Sequence, residues 1–234
     1  MRLMKDLFDT TPEIFNVRVI FNICLIVSLI IFALYLFIKR RREDPGSRTP
    51  TIFLGYAVFL ICYSITRIFF VFSDFEVYTW STTTTELNTI YVGLAYSFGI
   101  LGAICLFIII ERYLVHTKYG FTILGIVVLI MSLLSTFSII VTEVPQTIIT
   151  IVFPLFFAII VLLYVYVAIK AMGEPRRRAL GIVLGLLVMM LGFLLGSSLI
   201  GNLLDPIGGF YEIRILIEPF VIIIGSAIFT FSQR

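Results

Sequence analysis

Lys39-Arg40-Arg41-Arg42-Glu43-Asp44-Pro45-Gly46-Ser47-Arg48 decides how this chain is read. Five of the chain's 17 Lys and Arg residues fall in this stretch, and a long apolar run lies on either side of it. Lys and Arg accumulate in loops that stay on the cytoplasmic side of a membrane, so the stretch orients the segments it separates. Outward from it, the chain is 60% hydrophobic and 13% charged over 234 residues, with a mean hydropathy of +1.13. A water-soluble domain of that size cannot hide so much apolar surface. The composition implies an integral membrane protein that crosses the bilayer several times.

Seven runs have the length needed to cross about 30 Å of hydrocarbon. They lie near residues 15–39, 51–73, 87–111, 120–142, 146–171, 179–202 and 212–232. Short loops join them, so the expected fold is all-α: one seven-helix transmembrane domain over 12–234, after a short segment, 1–11, that can lie at the interface as a helix. Thr11-Pro12-Glu13 supplies an N-cap, a first-turn proline and a first-turn acid, and predicts that the first helix begins there. The run from Val17 to Ile38 is too long for a signal-peptide core and has no small-residue cleavage site.

Lys39, Arg40, Arg41, Arg42, Arg48, Arg112, Lys118, Lys170, Arg176, Arg177, Arg178 and Arg234 occupy the first, third and fifth loops and the C-terminus; the second and fourth loops hold no Lys or Arg. The expectation is an N-terminus outside and a C-terminus inside, in the cell membrane. Tyr78 and Trp80 suit an interfacial anchor, Thr83-Thr84-Thr85-Glu86 a capping box for the third helix, and Asp205-Pro206 with Gly208-Gly209 a turn. Cys24, Cys62 and Cys105 all fall in apolar runs and read as small hydrophobes without a disulfide framework.

The first and fifth loops resemble each other. Ile38-Lys39, Glu43, Pro45, Arg48, Ile52 and Gly55 align with Ile169-Lys170, Glu174, Pro175, Arg178, Ile182 and Gly185, with one gap at Asp44. Spans 1–3 and 5–7 run in the same direction, so a 3+1+3 parallel duplication is geometrically allowed. Basic loops after apolar helices also look alike by necessity, and both readings stand.

Ionisable groups inside a bilayer are costly unless paired or hydrated. Arg67 in helix 2 and Glu218 in helix 7 lie at similar depths below the outer surface, with Arg214 one turn above Glu218. A sequential seven-helix ring brings helices 2 and 7 together, which predicts an Arg67–Glu218 pair. With Tyr63, Tyr91 and Arg214, the pair forms the candidate ligand site; the alternative is an inert pair that holds the helices in register. Asn22, Ser64, Asn88, Tyr96, Ser197 and Ser198 add polar groups. Gly181, Gly185, Gly192 and Gly196 form one stripe on helix 6, which permits close packing in the bundle or a dimer seam. Pro154 and Pro219 are expected to kink helices 5 and 7.

Glu111-Arg112-Tyr113 closes helix 3. It resembles the acid-Arg-Tyr triplet at that place in rhodopsin-type G-protein-coupled receptors, whose seven-span, outside-in topology is similar. The resemblance implies coupling to a separate cytoplasmic protein at Glu111, Arg112 and Tyr113. It covers three residues and a topology; helix 3 has no Cys at its outer end, helix 7 no Asn-Pro-x-x-Tyr and helix 6 no Trp-x-Pro. A charge cluster at the membrane boundary explains the same residues. Microbial rhodopsins share size and topology, but helix 7 lacks the Lys that a covalent retinal requires.

The one His, His116, lies in a loop, and neither a metal-ligand cluster, nor a carboxylate pair at matched depth, nor a nucleotide loop is present. The expectation is a protein that is not an enzyme, has no cofactor or metal, and does not bind nucleic acid. The leading functional expectation is a receptor-like or sensor-like bundle for a small ligand or lipid. A small transporter or channel is the alternative, followed by a structural subunit contacting membrane lipids.

Overall fold

Apolar residues surround these helices instead of lining one face of each. In the first helix Leu25, Leu29, Ala33 and Leu36 are buried, while Ile20, Ile23, Val27, Ile31, Leu34 and Ile38 are exposed. Helices apolar on both their packed and their exposed sides are what a hydrocarbon solvent selects. The computed structural model describes residues 12–44, 47, 49–80, 86–115, 118–137, 143–196 and 210–233. Side chains are described over 16–44, 47, 49–76, 87–113, 115, 118–137, 154–196 and 216–233.

The described residues form seven helices: α1 Pro12–Arg42, α2 Thr49–Trp80, α3 Glu86–Ile109, α4 Gly120–Thr136, α5 Glu143–Lys170, α6 Glu174–Gly196 and α7 Phe210–Phe231. Four segments are long and apolar enough to cross a membrane: Asn16–Arg42, Thr49–Glu76, Leu87–Tyr113 and Glu174–Gly196. The apolar segments Gly120–Thr136, Pro154–Lys170 and Leu216–Phe231 are shorter. The described residues thus form an all-helical structure with four segments suited to cross a membrane.

Helix ends follow local chemistry more closely than hydropathy. α1 begins at Pro12, as Thr11-Pro12-Glu13 predicts, because proline suits the first turn. α6 starts at Glu174, five residues before the expected span. Gly173 at φ +69 terminates α5, and Pro175 opens the next helix through the charged Arg176–Arg178 turn. α5 and α7 continue through Pro154 and Pro219. The N-terminal segment 1–11, residues 81–85 of the capping box, His116, Ser197, Ser198 and the Asp205–Gly209 turn lie outside the described residues, as do the side chains of Tyr78, Trp80 and Arg214.

Each helix packs on the next, α7 returns to α1, and α5 also reaches α3. The most extensive contacts join α2 to α3 and α6 to α7. Both pairs use glycine. A Cβ on Gly55 would strike Ile109 of α3, and one on Gly102 would come within 3.3 Å of Phe59 of α2. On α6, a Cβ on Gly185 would sit 2.5 Å from the Phe229 backbone nitrogen, and one on Gly192 2.5 Å from Ile222. Gly181 faces Ser232, Gly196 faces the Glu218 carboxylate, and Gly225 of α7 answers against Met189. The whole stripe Gly181, Gly185, Gly192 and Gly196 is therefore occupied by α7 and the residue after it within one chain, which is the close-packing alternative.

Candidate functional site

Arg67 stands on the inward face of α2 in register with Tyr56, Tyr63 and Asp74, since offsets of seven and eleven residues return to one side of a helix. Arg67 and Glu218 of α7 are 5% and 7% exposed and form a direct ion pair, Nη1 donating to Oε1. Arg67 Nη2 donates to the Tyr63 hydroxyl at 2.9 Å, and the guanidinium lies over the Tyr63 ring at 5.3 Å and the Phe70 ring at 6.0 Å. Arg67 Nε is buried without a hydrogen-bond partner among the described residues. Glu218 fits because Gly196 leaves room beneath its carboxylate; any side chain there would displace it.

One helical turn or two toward the end of α2, Arg18 of α1 pairs with Asp74 at 3.1 Å. Asp74 is within electrostatic reach of both Arg67 and Glu218. Two cations and two anions thus gather where α1, α2 and α7 meet, with formal charge balanced. Asn22 Nδ2 donates to the Arg18 carbonyl at 3.0 Å, and Ser73 donates to Asn88, tying α2 to α3. Sequence reading finds Arg67, Glu218 and Tyr63 but misses Arg18–Asp74. The heptad-like spacing of Asp74 from Arg67 was the available signal.

Tyr91 packs on the half-exposed Phe72, with centroids 5.8 Å apart, and Tyr96 edges onto Phe70 at 5.7 Å. Tyr96 therefore reaches the Arg67 surroundings through Phe70, while Tyr91 meets an outward ring.

Beneath Tyr63 the polar stripe is interrupted. Phe59 stacks on Tyr63 at 6.2 Å and meets Phe229 at 5.8 Å and Phe157 at 6.1 Å. This aromatic layer joins α2, α5 and α7. Below it the buried Tyr56 and Tyr164 hydroxyls bond to each other at 2.7 Å.

The other predicted site, Glu111-Arg112-Tyr113, lies in a π-helical turn, Ile110–Leu114, closed by Val115 N donating to Ile110 O at 2.7 Å. A residue is added to the turn, so Glu111 swings inward to 3% exposure and Arg112 stays outside. The Glu111 carboxylate accepts from Phe121 N at 2.9 Å, from Thr122 N at 3.0 Å and from the Thr122 hydroxyl. These are the first donors of α4, whose own N-cap residue Tyr119 gives no side-chain bond. Glu111 is the cap of the following helix, held by amide donors and the helix dipole. Lys118 and Tyr119, both at positive φ, bend the chain tightly enough for this return. Arg112 rests over the Tyr113 ring at 5.5 Å.

At the same end of the bundle Lys39 donates to the Gln233 carbonyl and lies 4.9 Å over the Phe53 ring, so a residue of the basic stretch caps α7. Set against known protein families, curated proteins and solved structures, the chain matches none of them.

Proposed function

We propose a seven-span receptor-like or sensor-like protein of the cell membrane, N-terminus outside and C-terminus cytoplasmic. A small ligand or lipid binds in the outer half at Arg67, Glu218 and Tyr63. The observation that carries this is the buried Arg67–Glu218 bond between α2 and α7 above the aromatic contacts of Phe59. A ligand with a carboxylate or an ammonium can exchange with one partner of that bond, and the change passes along α7 from Pro219. The aromatic contacts of Phe59 with Phe157 and Phe229 favour transmission by helix movement over passage of a solute. The exposed Arg112 and the half-buried Tyr113 are then the surface for a separate cytoplasmic partner, with Glu111 holding the π turn that presents them.

The second reading is a small transporter with a 3+1+3 parallel repeat, and the glycine contacts favour it. Gly55, Phe59 and Thr66 stand at one constant offset from Gly185, Met189 and Gly196; Ala95 and Gly102 stand at another from Glu218 and Gly225. Two pairs of contacts correspond, Phe59 with Gly102 and Met189 with Gly225, Thr66 with Ala95 and Gly196 with Glu218, while Gly55 meets Ile109 and Gly185 meets Phe229, about one turn out of register. The pairings of α1 with α7 and α5 with α3 correspond too. On this reading Arg67 and Glu218 bridge the two repeats, where transporters place their substrates.

The test is thermal unfolding of the full chain in nanodiscs, with small carboxylates, amines and zwitterionic amino acids each added in turn. One class is expected to raise Tm saturably, and Arg67→Met/Glu218→Met to abolish the rise while staying folded, since both charges leave together. No shift from any class would overturn the ligand reading, and a double variant much less stable than the parent would then make the pair a structural clamp. Uptake of the stabilising compound into liposomes would select the transporter. Impermeant maleimide labelling of Ser47→Cys and Thr83→Cys tests orientation: only Thr83→Cys should react from outside.

A further inference from the structure

A groove of about 370 Å³ opens on the outside of the bundle near its basic end. Its walls are Val115, Phe121, Ile159, Leu162, Leu163 and Tyr166, contributed by the turn after α3, the start of α4 and the last turns of α5. All are apolar or aromatic, and Leu162 and Tyr166 are 65% and 49% exposed. The volume falls within the roughly 300–1,000 Å³ of small-molecule sites.

Its rim is cationic. Lys170 lies one turn beyond Tyr166, its ammonium 5.9 Å from that ring. Lys118 sits in the turn that joins the walls Val115 and Phe121, and Arg112 three residues before Val115. All three are exposed. The nearby acids are engaged elsewhere: Glu111 accepts from the first amides of α4, and Glu174 lies 3.7 Å from Arg178. An apolar trough with Lys170 against one wall, and with Lys118 and Arg112 in the segment that supplies another, matches one molecule that a membrane supplies, with a hydrocarbon tail and an anionic head.

We propose that this groove is a binding site for an anionic phospholipid, one acyl chain lying along Leu162 and Tyr166 and the phosphate held by Arg112, Lys118 and Lys170. The site is separate from the Arg67–Glu218 site and does not need a ligand there, and it shares Arg112 with the surface proposed for a cytoplasmic partner. A consequence is that the lipid clasps α5 to the α3–α4 turn, next to the π turn that carries Arg112.

The experiment introduces Leu162→Trp in a Trp80→Phe background, removing the one native Trp, and reconstitutes the full chain with brominated lipids. Brominated phosphatidylglycerol is expected to quench the introduced indole with an apparent affinity about five-fold or more above brominated phosphatidylcholine, given the attraction per basic residue. Arg112→Gln/Lys118→Gln/Lys170→Gln should bring the ratio to about one. As a control, Ile130→Trp, on the exposed face of α4, should see both lipids equally. Equal quenching of the Leu162→Trp protein by the two lipids would overturn the proposal in favour of ordinary boundary lipid. So would a preference that survives loss of the three charges, or no quenching by either lipid, which would mean that protein covers the groove. Lys118→Gln/Lys170→Gln alone, with Tm recorded, separates lost lipid preference from lost fold.

Discussion

Glu111 and Glu218 are carboxylates buried almost equally, at 3% and 7% exposure, yet they are satisfied in opposite ways. Glu111 is answered ten and eleven residues later by the first amides and a hydroxyl of α4. Glu218 is answered by a guanidinium 151 residues away in sequence. The first arrangement is local, and the oriented N–H dipoles at the start of α4 stabilise the anion. The second needs another buried charge, and each partner is costly without the other. Buried charge at the basic end is thus met by a helix cap, and at the opposite end by a second buried charge; on the proposed function, that second end is the one that meets a charged ligand.

The strongest way to break the contrast is Arg67→Ala. It strands Glu218 and is expected to cost about 3–5 kcal/mol, read as loss of stability in denaturant titration in micelles. Arg67→Met/Glu218→Met should recover most of that loss; failure to recover would point to contacts beyond the charges. Gly185→Ala comes next, at about 1–3 kcal/mol, because its Cβ would press on the Phe229 backbone and force α6 from α7. It checks that charge pairing depends on the glycine seam that carries Glu218.

Glu111→Gln should be milder than loss of Arg67, about 1–2 kcal/mol, since an amide keeps one acceptor for the α4 amides. Hydrogen exchange at Phe121 and Thr122 should rise while α2 stays protected. Tyr56→Phe is expected to cost about 1 kcal/mol by leaving the Tyr164 hydroxyl alone in the core, and Tyr56→Phe/Tyr164→Phe to be nearly neutral. Smallest is Lys39→Met, about 0.3–1 kcal/mol, with fraying confined to the end of α7. If Lys39→Met proved as costly as Arg67→Ala, the distinction between capped and paired ends would fail.

Much of the site is legible in the sequence. Arg67 and Glu218 can be paired from depth and ring order, because a charge in an apolar run has few ways to be tolerated. The glycine stripe can be read as a close-packing face, but not which helix fills it. The role of Glu111 is hidden, because the π turn that turns it inward leaves no mark in residue type. The Arg18–Asp74 pair is hidden too, because each partner lies near a helix end, where a charge looks solvated.

Sequence alone determined the helices and the clustering of basic residues at alternate loops. Both follow from single-residue transfer free energies and local capping chemistry, which are properties of a stretch and not of its neighbours. Tertiary structure decided which charge answers which, which helix the glycines admit, and that aromatic rings from three helices meet beneath Tyr63. Those depend on contacts between residues far apart in the chain, and packing geometry, not hydropathy, selects among them.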